Sequence, residues 1–491
     1  MNSKKKATTG LKNNSTINIF EMLNKNDNIL KDHLLNYYDQ SKDLLNKDMS
    51  DAVRKLREDA YTYLKNNNLP SKRDEKWRST NLEHLYAQTP SLDYKPSVYD
   101  KSQEEIFVCE VHGFEAQRYS MLNGWYYGPE SEKLKIFDNG LIVGSIIEAQ
   151  KQYPELFNKY FNSVAKTSTH GLTATNAALF KDGFFVYVPD NVVVEDTIQL
   201  IKMINKEENM FINSRNLIIL GENSELSFLH CDDSINHSPN LLNTVTEFII
   251  SENAHLRLNK LQNLNDSTSL INSTFIKQHK NSTSKVNVIT YNGGLIRNEI
   301  YVDLIGEAAD ADLNGIYLMD KNQHIDNQVF VNHAVPNCTS SELFKGVLDD
   351  KATGVFNGYI FVERDAQNTA AFQQNNNILM SSDAKIDTQP FLEIYADDVK
   401  CSHGATVGQL DTEALFYMKQ RGISNDDARL LLMFAFTAEV TSKINIEALR
   451  LSIEDMIKKR LRGELSICEK CVLHCSVPEY PMEFDIDMSK V

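Results

Sequence analysis

The chain has 491 residues, 42% of them hydrophobic and 24% charged, with a formal net charge of −16. That length exceeds what one ordinary core fills, so it implies two or three domains or a repeat array. The acidic balance excludes a broad nucleic-acid surface, and no apolar run approaches the roughly 18 residues of a membrane-spanning helix.

The N-terminal MNSKKKATTGLKNNST is basic but has no apolar segment after it, so residues 1–49 read as a polar arm leading into helix, and the expected location is cytoplasmic. From Ser50, the spacing of Val53, Leu56, Ala60 and Leu64 predicts an amphipathic helix capped by the serine. Residues 145–164 predict a second helix broken at Pro154. The stretch between them, IFVCEVHGFEAQRYSMLNGWYYGPE, reads as strands and a hairpin, giving a mixed domain over 50–165.

From 166 to 408 the texture is nearly all strand: short runs rich in Val, Ile, Phe and Tyr, cut by Gly, Asn, Asp and Ser. The cuts recur as acidic or amide residues before small ones (GENSEL, SENAHL, LDDKATGVF, ADDVKCSH), with Asp350, Asp365, Asp383 and Asp398 near-regularly spaced. Short rungs turning at similar corners favour a parallel β-helix, a solenoid, over a sandwich or barrel. His324 and His333 read as solvated polar residues at its turns.

Residues 409–465 return to helix. Asp411 caps a short one carrying Leu415, Phe416 and Met418. Ser424 and Asp427 open a second, whose Leu430, Met433, Phe434, Phe436 and Val440 need a surface to pack on, and residues 446–463 make a third. The tail 466–491 holds Cys468, Cys471, His474 and Cys475. They have the ligand types and number of a tetrahedral zinc or iron site, although adjacent His474 and Cys475 strain a mononuclear one; incidental thiols are the alternative.

The most suggestive pair is Cys401 and His403 in DDVKCSHGATVG. On a strand, residues i and i+2 share a face, so thiol and imidazole could jointly approach a soft metal or a sulfur species. The competing reading is a small buried cysteine beside a surface histidine.

CSHGATVG followed by LDTEALFYMKQRGIS, with DEKWRSTNLEHLY and TNAALFKDGFFVYVPDNV upstream, resembles the SufB/SufD family, the scaffold subunits of the Suf iron–sulfur cluster assembly machinery. The resemblance runs over most of residues 50–460. It implies a right-handed β-helix between helical regions, and a scaffold that is itself no enzyme, the ATPase activity belonging to SufC. It further implies pairing with SufB through the β-helix edges, with SufC docked on the C-terminal helices around Leu415, Phe416, Met418, Phe434 and Phe436. By the same resemblance His403, with Cys401 beside it, helps build a transient Fe–S cluster shared with SufB. Asn375 stands where the SufB branch has its sulfur-accepting cysteine, which points to the SufD branch. The resemblance leaves flavin involvement open and assigns no role to the tail cysteines.

Two other readings stay open on the residues alone. One is a stand-alone metal-binding protein using the C-terminal cluster. The other is a β-helix enzyme acting on polysaccharide with carboxylates such as Asp365 and Asp383.

Overall fold

A computed structural model describes residues 29–92, 95–96, 98, 114–235 and 237–462. Two ten-stranded sheets face each other. One stacks, in order, Trp125–Tyr127, Ala116–Leu122, Thr197–Ile204, Glu225–Ser234, His255–Asn263, Thr283–Asn292, Asp310–Met319, Thr339–Leu348, Thr369–Leu379 and Val399–Gly408. The other runs from Leu134–Ile136, Ile142–Ser145 and Phe184–Val188 through Phe211–Leu220, Leu241–Ile250, Ser269–Gln278, Leu295–Leu304, His324–His333 and Thr353–Val362 to Lys385–Ile394. From Thr197 onward the chain alternates between the sheets and every ladder is parallel, which is the expected β-solenoid. Its first sheet starts upstream of residue 166, because Ala116–Leu122 pairs in parallel with Thr197–Ile204.

The corners explain the recurring amides. Asn191, Asn223, Asn253, Asn281, Asn337 and Asn368 all adopt left-handed backbone, with φ between 53° and 63°, a conformation asparagine tolerates better than other side-chain-bearing residues. From Asn191 to Asn281 each corner asparagine donates from Nδ2 to the Oδ1 of the one before: Asn223 to Asn191 and Asn253 to Asn223 at 2.9 Å, Asn281 to Asn253 at 3.1 Å. These partners lie 32, 30 and 28 residues apart, which sets the length of a coil.

Alternation along each strand sends one face into the lumen and the other outward. The lumen is a long apolar core, including Ile198, Phe228, Leu258, Val286 and Leu313. Outside the first sheet, Leu229, Leu261, Ile289, Ile316 and Val347 are covered by Met433, Val440, Leu449, Ile453 and Ile457 of the C-terminal helices Asn425–Thr441 and Glu447–Leu461. The apolar second helix therefore finds its packing surface within the chain. Outside the second sheet, Phe211, Leu241, Ile271 and Leu295 pack with Leu30, Leu34, Leu64 and Trp77 of the N-terminal region.

The helices follow their sequence signals. Ser50 accepts from Val53 N and caps Asp51–Asn66. Ser145 caps Ile146–Gln152, and Pro154 begins a separate helix, Pro154–Tyr160, at a position where its missing N–H costs nothing.

Candidate functional site at the open end of the solenoid

The two ends of the solenoid differ. At one end the outermost strands are Trp125–Tyr127 and Leu134–Ile136, three residues each. At the other, Lys385–Ile394 and Val399–Gly408, ten residues each, have a ladder partner on one side only among the described residues. Long unpaired strands present a row of unsatisfied N–H and C=O groups and are templates for another strand. Exposed apolar side chains gather there too: Phe372, Phe391, Tyr395 and Val407 are each about half exposed, from 49% to 54%.

Cys401 and His403 both lie on Val399–Gly408, the last strand, and share one of its faces. It is the lumenal face: Ala371 pairs with Cys401 and Gln373 with His403 in the adjacent strand. Cys401 is half-buried against Ile360, Val362, Ala371 and Ala396, and this burial pushes its thiol above the usual range. His403 is exposed. The same strand face thus carries a packed thiol and an open imidazole.

Following the register inward from His403 shows a change of chemistry. His403 aligns with Gln373, then Glu342, then Leu313, Val286, Leu258, Phe228 and Ile198. The column is apolar through most of the molecule and becomes polar only in its last three coils. Gln373 and Glu342 are both buried, and Gln373 Nε2 donates to Glu342 Oε2 at 2.7 Å. Burial raises the Glu342 carboxyl to about 8, so it is a neutral acid at pH 7. Gly358 on the opposite sheet leaves room for the glutamine: a Cβ there would meet Gln373 Nε2 at 2.1 Å.

One column over, Asn375 is fully buried; its Nδ2 donates to the Tyr317 hydroxyl at 3.0 Å, and Tyr317 in turn donates to Asn377 Oδ1 at 2.6 Å. The amide of Asn375 is thus a satisfied structural group within the lumen.

Other candidate residues are dispersed. Phe416 is 64% exposed on the helix Thr412–Gln420, and Leu415 and Met418 are half-buried on it. Phe434 and Phe436 instead have partners within the chain: Lys458 Nζ lies 4.4 Å from the Phe434 ring and Lys345 Nζ 4.6 Å from that of Phe436. Cys468, Cys471, His474 and Cys475 lie outside the described residues. Among the described residues no group of three or more His, Cys, Asp and Glu could hold a metal ion, so the last strand offers two soft ligands and no complete site.

The two histidines assigned to solvated turns are not solvated. His324 begins a strand and is bonded to Thr80 Oγ1 at 2.9 Å and to Thr353 Oγ1 at 2.7 Å. His333 is fully buried, bonded to Ser340 Oγ at 2.9 Å, and desolvation lowers it to about 4. They stand at the two ends of one solenoid strand, His324 beneath the N-terminal region and His333 facing inward, where a neutral, hydrogen-bonded imidazole is stable.

The DEKWRST segment also acquires a physical role. Arg297 stacks its guanidinium 3.6 Å from the centre of the Trp77 ring, donates to Lys76 O at 3.0 Å, and is ion-paired to Glu299 and Asp326. Thr80 Oγ1 donates to Asp326 Oδ2, and His170 Nε2 bonds Glu299 Oε2 at 2.8 Å. A tryptophan, an arginine and two carboxylates, all buried, bolt the N-terminal region to the second sheet. Spacing alone could not locate Arg297 and its carboxylates, since they are brought to Trp77 by two successive coils.

Comparison with known proteins agrees with this architecture. The model of the SufBD core domain of SUF-system FeS cluster assembly matches residues 203–436, and that of the SufBD N-terminal region matches residues 29–200. The chain belongs to the SufBD family. Within it, the iron–sulfur cluster assembly protein SufD of Escherichia coli is 28% identical over 80% of this chain and 90% of its own length. Bacillus subtilis SufD is 26% identical over 80% and 91%, and a SufBD family protein of Synechocystis is 28% identical over 82% and 87%. This SufBD protein is therefore SufD-like. No helix among its described residues is long and apolar enough to cross a membrane.

Proposed function

We propose that this protein is a non-catalytic scaffold of iron–sulfur cluster assembly in the cytoplasm, pairing through its open solenoid end with SufB and using His403 in building a nascent cluster between them. One observation carries the reading: the ten-residue edge strand Val399–Gly408 holds an exposed imidazole on the same face as a thiol. A second chain adding to that edge by main-chain bonding would bring its own side chains beside His403 and supply the ligands that two residues lack. The cluster here is cargo, built and passed on.

His403 is the stronger member of the pair. It is accessible, whereas Cys401 is packed and held as a thiol by burial, which lowers its value as a nucleophile or ligand until its surroundings open. In this reading SufC docks on the C-terminal helices, with Phe416, Leu415 and Met418 as its contacts; Phe434 and Phe436 serve by holding the helix Asn425–Thr441 on the sheet.

The test is His403→Ala in the chain expressed together with SufB and SufC. The expected result is a complex that copurifies as before and yields no cluster, followed by its visible absorption. Normal cluster yield, or failure of the chain to copurify with SufB at all, would overturn the proposal.

A further inference from the structure

On the outer face of the second sheet, four coils align one aromatic ring each: Tyr301, Phe330, Tyr359 and Phe391, with ring centres 6.3, 5.4 and 6.3 Å apart in turn. They floor a groove of about 560 Å³. Its sides carry amides, Gln328, Asn357 and Gln389 on one flank and Asn332 on the other, and Lys76 on the rim holds its ammonium 5.7 Å from the Phe330 ring. The Oδ1 atoms of Asn357 and Asn332 are buried without a hydrogen-bond partner. Apolar rings flanked by amides, two of them with an unpartnered carbonyl oxygen, are the composition of a ligand groove.

The repeat of the groove selects the ligand. Neighbouring strands lie about 4.8 Å apart, so alternate rings recur roughly every 9.6 Å along the solenoid axis. A polyproline II helix repeats every three residues, about 9.3 Å, and leaves all of its backbone amides and carbonyls free for hydrogen bonds. Prolines at i and i+3 would therefore sit over alternate rings, Phe330 and Phe391 for instance, while the amides of the flanks reach the backbone between them. This is the physics by which aromatic grooves take Pro-x-x-Pro segments.

The chain carries such a segment beyond the described residues: Pro478-Glu479-Tyr480-Pro481 in SVPEYPMEF. We infer that the groove is the docking site of this chain's own segment 476–484. The path of the chain supports that occupant. The helix Glu447–Leu461 ends with Arg460 bonded to Asp320 and Gln323, at the corner from which His324–His333 sets out toward the groove. Pro478 lies 16 residues beyond Arg462, a reach of up to ~50 Å, and the groove opens about 13 Å along that strand from its start. The inference does not depend on the role proposed for His403.

The test uses the full chain and a fluorescein-labelled peptide of residues 476–488. A tethered segment competes at an effective concentration near the millimolar range, so the wild-type chain should bind the peptide weakly. The full chain carrying Pro478→Ala and Pro481→Ala should bind it at least ~10-fold more tightly. Adding Phe391→Ala, an exposed position that folding tolerates, or Phe330→Ala should abolish that gain. Three results would overturn the inference: no binding to the double variant, equal binding of a scrambled peptide, or equal binding after Phe391→Ala. Self-association of the wild type that the proline substitutions remove would assign the groove to the segment of a second copy, and would likewise overturn the intramolecular docking.

Discussion

Glu342→Gln isolates the polar end of the lumen. Glu342 is fully buried and its single close partner is the Gln373 amide at 2.7 Å. Folding raises its carboxyl from an ordinary 4.5 to about 8. A group whose folded value is raised supports the fold in full below its unfolded value, and that support is lost as the pH rises through the folded one. At 1.36 kcal/mol per tenfold change in proton affinity, the wild type is penalised by roughly 4 kcal/mol at pH 8 and by less than about 1 kcal/mol at pH 5. Glutamine keeps the shape and the acceptor for Gln373 and carries no titrating proton. The variant should thus match the wild type near pH 5 and exceed it by up to roughly 4 kcal/mol at pH 8, read by urea denaturation across that range. Parallel stability profiles for the two proteins would refute the assignment of a buried neutral acid at this position.

Other expectations follow from the same coordinates. Asn253→Ala, at a left-handed corner with amide bonds to both Asn223 and Asn281, should cost about 2 kcal/mol in denaturant unfolding, whereas an exposed strand position would cost little. Trp77→Ala removes a buried ring and the face beneath Arg297; a loss of 3–5 kcal/mol is expected, with hydrogen exchange rising first in Asp51–Asn66 rather than in the solenoid. Cys401 should alkylate more slowly than an unhindered thiol, with a midpoint above the ordinary 9, measured peptide by peptide in mass spectrometry across pH.

Much of the architecture was legible because it is periodic. Alternating apolar residues, corner amides and the switch to helical spacing after Gly408 all survive as elements. The cap residues Ser50, Asp411 and Ser424 each accept a backbone N–H as expected. What spacing could not show were properties that arise between coils. His324 and His333 resemble turn residues locally and become buried only when neighbouring coils and the N-terminal region cover them. Likewise the shared face of Cys401 and His403 follows from a strand pattern of two, but their unequal exposure depends on the lumen ending there. The column from Leu313 to His403 and the aromatic row from Tyr301 to Phe391 are each assembled from residues about 30 positions apart, and no local window contains them.

The inequality of the two solenoid ends has a consequence for stoichiometry. A rod with long open edges at both ends could add copies indefinitely, as fibres do. Among the described residues, one end of this rod closes on three-residue strands and the other stays open for ten. Once a neighbour occupies the open edge, growth by strand addition has nowhere further to go on this chain. In the proposed pairing, the geometry converts an aggregation hazard into a limit of one neighbour at that end.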